Sequence, residues 1–97
     1  MSVSLDDIVR KSDGPIEADT GSEILLMTVQ SGRYFSMDGV AKGIWLLING
    51  LTPVRQIIEK QLENFEVDRQ VCEDETLSFL NDLFEKKLIE RVEGIRV

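Results

Sequence analysis

The sequence predicts an α+β fold in which short strands come first and helices follow. Three observations carry that prediction. Up to residue 38 the apolar residues form short blocks broken by Gly, Pro and Ser, whereas from Gly39 onward they recur at helical spacing. Asn49-Gly50 and Thr52-Pro53 then read as a helix end and the next helix start. A chain of 97 residues closes around one core, so residues 1–97 are expected to form a single domain.

The first residues are weakly patterned. Leu5, Ile8 and Val9 suit either a short helical turn or an extended arm, residues 1–15 being flexible in the second case, and Ser12-Asp13-Gly14-Pro15 breaks whatever precedes it. Residues 16–19, IEAD, alternate apolar and polar as a strand with one wet face, and Thr20-Gly21-Ser22 turns the chain. Residues 24–30, ILLMTVQ, are the strongest strand, and Ser31-Gly32 behind them reads as a two-residue hairpin turn. That register sets Gln30 opposite Arg33, Thr28 opposite Phe35 and Leu26 opposite Met37. Ile24, Leu26, Phe35 and Met37 then share one face, and Leu25, Met27, Val29 and Tyr34 the other. Both faces are apolar, so the second is expected to be covered at least in part.

Asp38 serves as N-cap for a first helix carrying Val40, Ile44, Trp45, Leu47 and Ile48. Thr52 is the expected cap of the second, with Pro53 at its first position and Val54, Ile57, Ile58, Gln61, Leu62 and Phe65 as its stripe. The third runs from about residue 69 to 87, its Lys86 and Lys87 suiting the negative end of the dipole, and residues 88–92 close as a short extended tail. On a wheel of this third helix, Cys72, Thr76, Phe79, Leu80 and Leu83 form the core stripe. Leu77 and Phe84 fall about 80 to 100° to one side and widen it into a shoulder. Either a chain terminus lies over that shoulder, or it lines a groove beside an edge strand formed by residues 33–37.

Several functions are excluded by what the chain lacks. It has no histidine, which removes the serine and cysteine triads, and no phosphate-cradling glycine pattern. Glu73-Asp74-Glu75 point in different directions on a helix and read as a solvated start, so no metal, cofactor or catalytic residue is expected. Cys72 reads as a buried small hydrophobe. Eleven basic against eighteen acidic residues give a net charge of −7, which disfavours nucleic acid and favours a partner held through backbone bonds and apolar pockets. No apolar run reaches the roughly 18 residues of a membrane span, and the first residues are no secretory signal, so a cytoplasmic location is expected.

Met37-Asp38, Ile44-Trp45-Leu46-Leu47, Gly50-Leu51-Thr52, Phe79-Leu80-Asn81-Asp82-Leu83 and Leu88-Ile89 occur in an order and spacing that resemble the PqqD family. These are the leader-peptide recognition domains of pathways that modify ribosomally made peptides. Two positions depart from the family pattern, Ala41 after the strand and Lys87 before the final Leu-Ile, where glycine is frequent. The resemblance implies a three-stranded antiparallel sheet followed by three helices, akin to a winged helix-turn-helix, and an unmodified leader bound along the third strand and against the third helix. The site expected on that basis comprises Arg33, Tyr34, Phe35, Ser36 and Met37 on the strand, with Leu77, Leu80, Asn81 and Phe84 on the helix. The chain is most similar to the stand-alone recognition proteins of lasso-peptide pathways, which implies a noncatalytic adaptor delivering a precursor to a leader peptidase, as a monomer or weak homodimer. The alternatives are a peptide chaperone working with a radical SAM enzyme, a subunit that only stabilises an enzyme, and a winged-helix DNA-binding regulator, the last opposed by the sparse basic residues of the second helix, Arg55 and Lys60.

Overall fold

The structure, a computed structural model, describes residues 3–92. Its elements follow in the order β1 Val9–Lys11, β2 Ile16–Asp19, β3 Glu23–Thr28, β4 Arg33–Asp38, α1 Gly39–Leu47, α2 Val54–Asn64, α3 Arg69–Glu85 and β5 Ile89–Arg91. Strands β2, β3 and β4 form an antiparallel sheet in that order, and β1 pairs separately with β5. The class is therefore the expected α+β one, a three-stranded antiparallel sheet followed by three helices, with the β1–β5 pair added.

The hairpin register differs from the expected one by two residues. Thr28 faces Arg33, Leu26 faces Phe35 and Ile24 faces Met37. The turn holds four residues rather than two because Gly32, at φ 66°, donates its N–H to the Thr28 carbonyl at 2.8 Å, while the Thr28 and Ser31 hydroxyls meet across it. An even slip keeps every side chain on its own face, so the predicted inner set survives. Ile24, Leu26 and Met37 are buried and Phe35 packs on the core. The outer face is a correction: no described element covers it, and Ile16 and Tyr34 stand 54% and 74% exposed.

The N-terminal segment is also corrected, since it is no free arm. Val3 and Val9 are buried, Val9 lies in β1, and the Asp7 and Leu5 carbonyls accept from the Val54 and Arg55 N–H groups at 2.9 and 2.8 Å. Those bonds satisfy donors left open at the start of α2, where Pro53 is the N-cap and the Thr52 side chain makes no capping bond. Asp38 likewise flanks α1 without a side-chain cap. Asp68 does cap α3, accepting from Gln70 and Val71. The core joins the inner sheet face to Ile44, Trp45 and Ile48 of α1 and its end, Val54, Ile57 and Ile58 of α2, and Cys72, Leu80 and Leu83 of α3.

Helix α3 ends in a Schellman motif. Leu88 N–H donates to the Leu83 carbonyl and Lys87 N–H to that of Phe84, both at 3.0 Å, with Lys87 at φ 63°. Leu83 and Leu88, which the motif brings together, are both buried. Lys87 thus occupies a backbone conformation that favours glycine.

Candidate functional site: the free edge of β4

Strand β4 pairs with β3 along one side, and no described strand pairs with the other. Every second residue of such an edge turns its N–H and C=O outward, and those groups can accept an added strand. The inner face of β4 carries Arg33, Phe35 and Met37, and the outer face Tyr34, Ser36 and Asp38. The backbone of helix α3 approaches α2 and β5 most closely and stands further from β4, leaving space beside the edge.

Two hollows lie toward the two ends of β4. The larger, of about 580 Å³, opens under the turn end of the β3–β4 hairpin, between the turn residues Thr28 to Ser31, Arg33 and Phe35 of β4, Pro15 before β2, and Lys86 and Lys87 at the end of α3. The smaller, of about 60 Å³, lies past the other end of β4, between Val40, Phe65, Val67, Cys72, Glu75 and Thr76. Helix α3 therefore runs opposite in direction to β4. Ten residues of helix from Thr76 to Lys86 span about 15 Å, close to the roughly 16 Å of a six-residue strand. Phe79, half-buried, sits between these ends on the flank that carries Glu75 and Lys86.

The ends differ in charge. Arg33 has its guanidinium 5.7 Å from the Phe35 ring centroid, and no carboxylate among the described residues forms an ion pair with Arg33 or Lys87. Lys86 is held by Asp82 at 2.6 Å. Asp38 and Glu75 mark the opposite end. The perturbed carboxyls lie elsewhere. The Gly21 N–H and the Lys42 ammonium hold Asp19 below its ordinary value, and the bond from Arg69 does the same for Glu59.

The structure divides the nine residues expected at the site. Arg33, Tyr34, Phe35, Ser36 and Met37 are together on β4, with Tyr34 exposed on the outer face and Met37 buried on the inner one. Leu80 is fully buried in the core. Asn81 accepts from the Val3 N–H at 2.6 Å through its side-chain oxygen, so its flank of α3 lies under the N-terminal segment. Phe84 faces β5, the Arg91 guanidinium standing 5.7 Å from its ring. Leu77 shares this flank by helical spacing. The N-terminal segment thus covers the shoulder at Asn81, Phe84 lines a hollow with Gly14 and Arg91, and the helix flank that shares hollows with Arg33 and Val40 is the opposite one, with Glu75 and Lys86 and, by helical spacing, Phe79. Sequence reasoning assigned Phe79 wholly to the core and Lys86 only to the helix dipole. Their shared spacing with Glu75 was the available signal.

No group of His, Cys, Asp or Glu that could hold a metal occurs among the described residues, and no described helix is long and apolar enough to cross a membrane. Fold and site together define a small α+β domain with a vacant sheet edge set beside a helix. The chain belongs to the PqqD family: the family profile described as coenzyme PQQ synthesis protein D matches residues 23–89, from β3 to the start of β5. Among solved structures it is similar to TbiB1 in complex with the TbiA(beta) leader peptide, with 30% identity, a TM-score of 0.76, and coverage of 91% of this chain and 99% of that one. No curated protein matches it.

Proposed function

We propose that the chain is a noncatalytic recognition element that binds the leader of a ribosomally made precursor peptide as an added antiparallel strand on β4 and presents it to a maturation enzyme. The observation that carries this reading is the free β4 edge with α3 set back from it, in a fold shared with a protein solved with a leader peptide. Backbone bonds along β4 supply grip, and side chains entering the space beside Phe35 and Phe79 supply selectivity. Ordering a flexible leader costs about 2–5 kcal/mol, so a micromolar complex needs both contributions. Tethering raises the effective concentration of the precursor at its enzyme without chemistry in the adaptor. A leader peptidase is the favoured enzyme and the cytoplasm the favoured location. The family description, coenzyme PQQ synthesis, supports a second reading in which the partner is a radical SAM enzyme.

The test uses leader peptides encoded beside the gene for this chain, titrated calorimetrically. Micromolar or tighter binding is expected. Proline is placed in turn at Phe35 and Ser36, because successive residues alternate between the β3 ladder and the free edge. The variant that retains its thermal unfolding transition has lost an outward N–H and should bind at least tenfold more weakly. Unchanged affinity in a folded variant of either kind would remove β4 from the site. Co-purification with the peptidase or with the radical SAM enzyme distinguishes the two partners.

A further inference from the structure

Resting on the reading above, a second question is what sequence a bound strand should carry, and the unequal ends of the groove address it. A sheet edge accepts a parallel or an antiparallel strand with similar backbone bonds, so side chains and charge must set direction and register. In a chain of net charge −7, the hollow at the Arg33 end is an electrostatic exception. Arg33 and Lys87 line it without an ion-pair partner among the described residues, Lys86 stands beside them, and Phe35 and Pro15 provide apolar wall. Arg33 and Lys87 are both exposed, so their pull on an anion is short-ranged and screened by salt. The opposite end is apolar with acids near it, Val40, Phe65 and Val67 surrounding the small hollow beside Glu75.

We propose that the hollow bounded by Arg33, Phe35 and Lys87 is a carboxylate subsite that reads an Asp or Glu of the bound leader, while the hollow beside Val40 and Phe65 takes an apolar side chain. On an antiparallel added strand the amino-terminal residues lie at the Asp38 end and the carboxyl-terminal ones at the Arg33 end. Arg33 and Met37, the ends of the inner face of β4, are four positions apart, and the apolar hollow lies just past Met37. The substrate is therefore a leader whose recognition segment carries an apolar residue followed, four or six residues later, by an acidic one, the even spacing that turns both side chains toward α3. The charge gradient along the groove, acidic at Asp38 and Glu75 and basic at Arg33 and Lys87, opposes the reversed alignment.

The experiment is a selection from a displayed library of random dodecapeptides on the full chain and on its Arg33→Glu/Lys87→Glu variant, with folding of both verified by circular dichroism. Peptides from the unaltered chain should show the apolar-then-acidic spacing. Those from the variant should replace the acid by Lys or Arg. A synthetic peptide of the first pattern should bind the variant at least tenfold more weakly, recover most of that loss when its acid is changed to Lys, and lose affinity with rising salt. Peptides that depend on β4, shown by loss with the folded proline variant, yet carry no acidic preference would overturn the carboxylate subsite and leave the adaptor reading standing. Recovery of no peptide that depends on β4 would overturn both.

Discussion

At the scale of single residues, Lys87 is the position where the sequence works against its own backbone. It holds φ 63° in the Schellman turn that ends α3. A non-glycine residue there costs about 1–2 kcal/mol, of which the greater chain entropy of an unfolded glycine returns a part, about 0.5–1 kcal/mol. Lys87→Gly should therefore stabilise the domain by roughly 0.5–1 kcal/mol, seen as a higher midpoint in urea unfolding. A lowered midpoint would show that Lys87 makes a compensating contact. The surface carboxyls give a second residue-scale prediction. Asp19 and Glu59 are held below their ordinary values by Gly21 with Lys42 and by Arg69. A carboxyl whose folded value is depressed stabilises the fold above its unfolded value, and that contribution is lost as pH falls through the folded value. Carboxyl NMR titration should place both midpoints below the ordinary values of 3.8 and 4.5, and Glu59→Gln should flatten the acid limb of stability. Midpoints at or above those values would contradict the two contacts.

At the scale of elements, the strand edge was legible in sequence and the correct face of its neighbouring helix was not. The alternation of residues 24–28 and 33–37 fixed which side chains face inward, and a two-residue error in register left that assignment intact because side-chain direction repeats every two residues. Helix α3 offered no such protection. Its apolar residues spread over a wide arc, with Leu77 and Phe84 on one side of the buried stripe and Phe79 on the other, so periodicity alone could not tell which side meets β4. What decides it is a long-range contact, Val3 to Asn81, between residues 78 positions apart, and local pattern carries no trace of such a contact. The two flanks can be separated by experiment. Phe79→Ala should weaken leader binding about tenfold or more, while Phe84→Ala should reduce stability by about 3 kcal/mol or less, its ring being only partly buried, and leave affinity within threefold. The reverse pattern would return the leader to the Phe84 flank.

At the scale of the whole molecule, residues 3–11 act as a clasp that binds the helices to one another and covers α3 at Asn81. Their carbonyls satisfy the first donors of α2, Val9 pairs with Arg91, and Val3 is buried against α3, with its N–H on Asn81. Deleting residues 1–5 would therefore remove one buried Val, worth about 1.5–3 kcal/mol, and the hydrogen bonds at Asn81 and Arg55, worth about 1 kcal/mol each. A loss of about 3–5 kcal/mol is expected in urea unfolding, a large fraction of the stability of a domain this small. Because the clasp lies on the flank away from β4, the truncated protein, where still folded at low temperature, should bind leader with affinity within threefold of the full chain. Unaltered stability would show that residues 3–5 are not packed as described. Tighter leader binding, by contrast, would mean that the clasp competes with the leader for α3, and that the Leu77, Asn81 and Phe84 flank is a peptide site which the chain's own beginning occupies.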